Sequence, residues 1–329
     1  MVGQTTSEIW NSRWSATERT VDRESPEDNF YEEYPTLAMH RKSGMQVVKK
    51  GGKEISKVIQ TSGSSAQTFD GYDPLSKTPV DPYETAHYKW RYYAVPIILS
   101  ETEDWENGGE EQIFDLLKAL GENADSALLK KINEDILGDQ SGKEMLGYQD
   151  HMATAAGETL GGIDSSATTS WESQRDTTST TFTTQTVDYI FDGVTRWSSV
   201  LDKCRIQGGN ISNIVTTHSI VRAYRIALSS HGYGNVQTSN ATGIGGPMNP
   251  AFYTSAVIAD NDCSALHSYF VDTRHLKLNV LSKANFKKTP FVSLQSNGQL
   301  AQLAYKVAGV QLVNNNRRRS GVATALTGA

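Results

Sequence analysis

Hydrophobic and polar positions along this chain switch between the two-residue period of strands and the 3.6-residue period of helices. From Met45 to about Leu99 the signal is β. Met45-Gln-Val-Val-Lys-Lys runs into Gly51-Gly52, a turn dipeptide. Lys53 to Thr61 follows, then a turn-rich stretch with Gly71, Pro74, Pro79 and Pro82. Tyr83 to Leu99 resumes with Tyr88, Trp90, Tyr92, Tyr93 and Val95, all strand-favouring. The pattern predicts a long two-stranded excursion with little core-forming material of its own, marginal unless it packs on something else.

The clearest helical face spans 109–138. Ile113, Leu116, Leu117, Leu120, Ala124, Ala127, Leu128, Ile132 and Ile136 recur at helical spacing. Glu110 and Glu111 suit its N-terminal dipole, and Gly138 suits its end. At about 1.5 Å per residue, roughly 28 residues of such a helix span about 42 Å, the length of a strut. Residues 139–186 are poor in core residues and rich in Ser, Thr and Gly. A second helical pattern runs through Val187, Ile190, Phe191, Val194, Trp197 and Leu201 to Gly208-Gly209. A buried strand is expected at Ile211 to Thr216 and a helix at Ser219 to Ser230, with Ile220, Ala223, Tyr224, Ala227 and Leu228 inward. Gly232 to Pro250 reads as a glycine-rich loop. Further strands are expected at Ala256–Ala259, Ser268–Asp272 and Leu276–Leu281, the last half-buried by its alternation. Phe291 to Val313 predicts two strands, broken near Gly298 and Gly309. The first forty residues are polar and irregular, yet carry Trp10, Trp14, Phe30, Tyr31 and Tyr34. They read as an arm that needs another surface, or as a frayed terminus.

Composition narrows the classes. The chain has 329 residues, 37% hydrophobic and 21% charged, enough for one large domain or two ordinary ones. Thirty-one Lys and Arg against 37 Asp and Glu give a net charge of −6, unlike a general DNA or membrane-surface binder. The longest apolar run, Ala94 to Leu99, is six residues with a proline inside, whereas a membrane-spanning helix needs roughly 20. The N-terminus has neither a basic start nor an apolar stretch, so no secretory signal is expected. Cys204 and Cys263 are too few for a disulfide framework and read as reduced, partly buried thiols.

Catalytic signatures do not emerge. None of the seven histidines forms a zinc motif, and neither a nucleophile elbow nor a P-loop is present. Gly243-Ile-Gly245-Gly246 has Met248 where a dinucleotide fingerprint needs its third glycine. Glu101, Glu103, Asp104 and Glu106 could serve acid–base work or hold a cation, but also suit a solvated helix cap. Asp260-Asn261-Asp262 lacks the rest of a calcium loop and reads as a turn. No catalytic residue, metal or cofactor is expected. Arg317-Arg318-Arg319 is the one strong basic cluster, suited to phosphate, to an acidic patch on a second subunit, or simply to solvation.

The order of elements is arm, basic hairpin, long helix, α/β module, then closing strands. In this it resembles the major capsid proteins of tailed bacteriophages, the HK97-like fold. Tyr92 to Ser100 passing into Glu101–Trp105 and the helix resembles the family's strand-to-spine passage. Gly208 to Thr217 followed by the helix from His218 resembles its strand-then-helix step. Val257–Asp262 and Tyr269–Asp272 resemble the paired strands that follow, and Ala304 to Gly328 resembles the closing strands. The likeness covers most of residues 45–328 and is cumulative, since no single motif is diagnostic.

The resemblance implies an α+β capsid fold. Its parts are an N-terminal arm at 1–40, an extended loop (E-loop) at 41–89, and a peripheral domain at 90–186 with its spine helix at 109–138. An axial domain at 187–285 and a return to the peripheral domain at 286–329 complete it. It implies a self-assembling coat of hexamers and pentamers that encloses double-stranded DNA without sequence-specific binding. Partners would be a portal protein, a separate scaffolding protein (too few residues precede the extended loop for a built-in one) and a possible decoration protein. The place would be the virion, assembled in the bacterial cytoplasm. Expected subunit contacts are Trp10, Trp14, Phe30, Tyr31, Lys49, Lys50, Lys53, Lys57, Glu101, Glu103, Asp104, Glu106, Arg317, Arg318 and Arg319. A negative chain suits a DNA container, because a strongly basic wall would trap the polymer. Two alternatives stand beside this reading: an encapsulin-like compartment shell, and a β-rich hydrolase using two carboxylates.

Overall fold

A computed structural model describes residues 34–42, 44–63, 66–73, 81–102, 116–186, 190–230, 250–295 and 298–328. In chain order the elements begin with helix α1 (Pro35–Lys42) and strands β1 (Gln46–Lys49), β2 (Glu54–Gln60), β3 (Tyr83–Lys89) and β4 (Arg91–Ser100). Helices α2 (Leu116–Leu137) and α3 (Tyr148–His151) follow, then the short strands β5 (Thr159–Leu160), β6 (Ile163–Asp164), β7 (Gln174–Asp176) and β8 (Thr180–Thr181). Next come α4 (Asp192–Ile206), β9 (Asn213–Thr216) and α5 (His218–Ser230). Strands β10 (Ala251–Phe252), β11 (Ser255–Ala259), β12 (Ser268–Val271), β13 (Leu276–Leu281), β14 (Lys287–Lys288) and β15 (Val292–Ser293) lead to the long β16 (Ala301–Asn314). The chain closes with β17 (Gly321–Ala323) and β18 (Leu326–Thr327). It divides into two compact units, one holding Ala94–Leu128 and Phe286–Val307, the other Glu33–Tyr93, Leu129–Asn285 and Ala308–Ala329.

The larger unit is organised on a sheet of order β10-β11-β9-β12-β17-β7. β9 lies inside it, parallel to β11 and antiparallel to β12. Its four residues are all buried, as a strand covered on both faces requires. The expectation that the 256–259 and 268–272 segments pair with each other is corrected here: β9 stands between them. Helices α4 and α5 pack their apolar faces into one cluster with the sheet. Trp197 is its centre, with Phe182 and Tyr224 each 5.1 Å away between ring centroids and Phe252 at 5.3 Å. Gly193 lets α4 start against Phe182, since a Cβ there would lie 2.3 Å from the ring. Ile190, expected inward, is exposed, because the helix begins only at Asp192.

The same unit carries a second apolar cluster. The β2–β3 hairpin is antiparallel from Glu54↔Lys89 to Gln60↔Tyr83. Its Ile55, Ala86 and Tyr88 join Trp90, Leu160, Ile163, Trp171 and Val313. The hairpin base is therefore seated on its own chain, contrary to the expectation of too little apolar surface. β1 is no part of the hairpin: it pairs in parallel with β13, Gln46 opposite Leu278 and Lys49 opposite Leu281. Residues 139–186, expected to be core-poor, supply Met145, Tyr148, Met152, Leu160, Ile163, Trp171 and Phe182, all buried. Isolated large residues between polar ones carry no period, so the pattern hid them.

In the smaller unit, Ile97, Ala124 and Ala304 form a buried cluster with Val95, Leu120 and Phe291 packed against it. Leu120 and Ala124 thus bear out the helical face, while Ala127 is exposed. The part of that helix before Leu116 lies outside the described residues, as do the side chains of Leu116 and Leu117. β16 is not broken at Gly309. A Cβ there would touch Leu281, Ala284 and Tyr92 at 3.3 Å, so the glycine marks a close approach inside a strand rather than a turn.

Candidate assembly surfaces

The hairpin presents two different faces. Inward lie Ile55, Lys57, Ile59, Glu84, Ala86 and Tyr88, all buried or half-buried. Outward, Val58 is 72% exposed and Tyr83 59%. Past the ends of the two strands, Phe69 and Tyr72 are also exposed. These apolar side chains stand in water while the hairpin base is fixed, the arrangement of a surface that gains by being covered. Glu54 accepts from or pairs with His87 Nδ1 at 2.9 Å on the outer face. Lys50 and Lys53 are exposed, whereas Lys49 and Lys57 are half-buried.

The acidic run is seen only at its start. Glu101 is half-buried, its backbone N–H donating to the Leu300 carbonyl at 3.1 Å and its Oε1 accepting from Gln295 at 3.1 Å. Glu103, Asp104 and Glu106 lie outside the described residues, as do Trp10, Trp14, Phe30 and Tyr31.

The triple arginine is not one patch. Arg317 is 1% exposed. Its guanidinium donates to three carbonyl oxygens of its own chain: His151 at 3.0 Å, Glu158 at 2.9 Å and Asp150 at 2.9 Å. This corrects the expectation that it meets a neighbour: it is an internal brace with no surface to offer. Arg319 is half-buried and donates to His275 Nε2 at 2.9 Å. Arg318 is half-buried too. The short 3₁₀ turn at Arg317–Arg319 points consecutive side chains in different directions, so adjacency in sequence does not become a shared face.

Two buried polar centres escaped sequence reading. In one, Asp260, 2% exposed, accepts from the Thr36 N–H at 3.2 Å, the Thr36 hydroxyl at 2.6 Å and Asn133 Nδ2 at 3.2 Å. Asn133 also donates to Asp262 at 2.7 Å and accepts from the Leu37 N–H at 3.2 Å. The turn signal at 260–262 was legible, but its partners were not. In the other, His40 Nε2 and Tyr148 Oη are 2.8 Å apart, and His151 stacks on Tyr88 with centroids 6.1 Å apart. Burial lowers both histidines to about 3, with the Arg317 charge adding to the effect at His151. Both cysteines are free and buried, as expected, and burial pushes the Cys204 thiol up to about 12. Such thiols are poor nucleophiles. Among the described residues there is no group of three or more His, Cys, Asp or Glu arranged to hold a metal, and no helix long and apolar enough to cross a membrane.

No protein-family model and no curated protein matches this chain. Solved structures do match along its whole length. The capsid asymmetric unit of cyanophage A-1(L) is 14% identical, with 96% of this chain and 99% of that chain covered at a TM-score of 0.70. The capsid of the native GTA particle is 9% identical, fully covered on both sides, at 0.61. The holo-SrpI encapsulin complex from Synechococcus elongatus is 8% identical, with 95% of each chain covered, at 0.61. At such identities the likeness is one of fold: this chain has the shell-protein fold found in phage capsids and in that encapsulin.

Proposed function

We propose that this chain is the major capsid protein of a tailed double-stranded DNA phage, with an HK97-like fold, self-assembling into an icosahedral shell of hexamers and pentamers. The observation that carries the reading is the match to the cyanophage capsid over 96% of the chain. The division of labour is also proposed. The β2–β3 hairpin with the residues beyond it acts as the extended loop, α2 as the spine helix and the α4–α5 sheet module as the axial domain. Exposed Val58, Phe69, Tyr72 and Tyr83 support an extended loop that is covered by a neighbour. Contacts of about 800 Å² per partner offset the cost of ordering such elements. Head-to-tail contacts that close give rings. A portal, a separate scaffolding protein and a decoration protein belong to this proposal, as do assembly in a bacterial cytoplasm and residence in the virion.

The encapsulin match favours a second reading, a compartment shell that holds protein cargo instead of a genome. Electron microscopy of the purified protein tests both: closed shells are expected, and a monodisperse monomer under all assembly conditions overturns both. Nuclease-protected double-stranded DNA inside shells from producing cells supports the phage reading, and shells carrying only protein cargo overturn it.

A further inference from the structure

Three lysines and a pair of carboxamides gather where the hairpin packs on the β1–β13–β16 ladder. In the ladder Lys49 stands opposite Leu281, Asn279 opposite Gln311 and Lys277 opposite Val313. Lys277, Asn279 and Leu281 alternate onto one face of β13, so Asn279 lies midway between Lys277 and the level of Lys49, about 7 Å from each along the strand. Leu281 and Val313, at either end of that face, pack in the same cluster as the hairpin's Ile55, Ile59 and Tyr88. Lys57 sits between Ile55 and Ile59 on the inner face of the hairpin, so it enters from above the Asn279–Gln311 pair.

All three lysines are half-buried, and among the described residues none has a carboxylate within salt-bridge distance. The hairpin's own carboxylates are engaged elsewhere: Glu54 meets His87 on the outer face, and Glu84 accepts from Thr168. The lysines feel one another, because burial and then the charges of Lys49 and Lys277 push the Lys57 ammonium below its ordinary range. On the floor, Asn279 donates to the Lys277 carbonyl at 3.3 Å. Gln311 is 1% exposed, and its buried Oε1 has no hydrogen-bond partner. Turned over, that carboxamide presents its NH₂ to the groove. Like charges gathered in a partly desolvated groove repel, and an anion relieves them. A carboxylate brings one charge and two oxygens. A phosphate monoester carries about −1.5 to −2 at neutral pH and three acceptor oxygens, which suits ammonium groups arriving from three strands above an amide.

We propose that Lys49, Lys57, Lys277 and Gln311 form a binding site for a dianionic phosphate, the free ion or the terminal phosphate of a small organic ligand. This rests on charge and geometry within the larger unit, not on the shell reading, so either can fail without the other.

Lysine acetylation mapped by mass spectrometry tests it on the full-length protein, with inorganic phosphate as the probe and chloride holding the ionic strength constant. Protection equals one plus the ratio of phosphate concentration to Kd, so phosphate at about four times Kd should slow acetylation of Lys57 about fivefold. Lys49 and Lys277 should slow with it, while the exposed Lys50 and Lys53 should not. The melting temperature should rise with phosphate. Lys57→Gln removes both the repulsion and the central donor. It should melt no lower than the parent without phosphate, and should lose the phosphate-dependent rise and the protection of Lys277. Lys57→Arg should retain both. Gln311→Glu, nearly isosteric, puts a carboxylate beneath the ammonium groups and should fill the site from within, so that phosphate no longer protects Lys57. Protection by glycerol 2-phosphate as well assigns the site to a terminal phosphate, and protection by inorganic phosphate alone assigns it to the free ion. The proposal is overturned if phosphate protects none of the three lysines, or if acetate protects them as well as phosphate does, which would make the groove a carboxylate site. It is equally overturned if Lys50 and Lys53 slow as much, since that is screening. It also falls if mixed-sequence duplex DNA protects the three lysines and phosphate does not.

Discussion

The hydroxyl of Thr36 and the carboxylate of Asp260 are separated by 224 positions in sequence and by 2.6 Å in the folded chain. Asp260 also accepts the Thr36 N–H, one of the orphan donors at the start of α1, so it caps that helix from the far end of β11. Asn133, from α2, closes the arrangement by holding both Asp260 and the Leu37 N–H. Three elements remote in sequence are thereby pinned at one buried point.

Asp260→Ala should therefore cost about 2–4 kcal/mol, because it strands several buried donors at once. Thr36→Val, which removes one donor and keeps the volume, should cost about 1–2 kcal/mol. Chemical denaturation measures both. Equal losses would mean the carboxylate serves Thr36 alone and the three-way junction carries no weight.

The arginine cluster divides in the same way. Arg317→Ala leaves three carbonyls without their donor and a cavity behind, and should destabilise by about 3 kcal/mol. Arg318→Ala, at a half-buried site with no hydrogen-bond or ion-pair partner among the described residues, should change stability by about 0.5 kcal/mol or less. Thermal melts of the two variants that fell together would contradict the brace.

The two buried histidines set a pH window. Folded values near 3 lie below the unfolded value near 6.5. Above pH 6.5 both states are neutral and nothing is lost. As pH falls from 6.5 towards 3, the unfolded chain binds protons that the folded chain refuses, so stability declines. The melting temperature should drop steadily from pH 7 to 4.5. His151→Phe should flatten that slope, and an unchanged slope would remove His151 from the account.

The hairpin separates folding from assembly. Deleting residues 45–85 would remove β1 from β13 and Ile55 from the core, so it should unfold the subunit. Replacing 61–82 with a two-residue Asn-Gly turn keeps the paired strands. That shorter variant should keep its circular dichroism and melting temperature yet form no shells under electron microscopy. Normal shells would exclude the exposed Phe69 and Tyr72 from the contact.

Much of the architecture was legible because it is periodic. The 3.6-residue recurrence through Leu120, Ala124, Leu128, Ile132 and Ile136 specified α2, and Ile220, Ala223, Tyr224 and Ala227 specified α5. In each case one face of a local element carries the message, and any chain with that face must bury it. The order of elements likewise carried the resemblance to capsid proteins. What only the tertiary structure decided is pairing across long separations. Nothing local says that Asp260 will meet Thr36, or that β9 will divide β11 from β12. Nor does a run of three arginines announce that Arg317 turns inward to His151, Glu158 and Asp150. A polar side chain looks the same in sequence whether water or a distant carbonyl satisfies it. The choice is made when the core closes and leaves each buried donor only the acceptors the fold brings near.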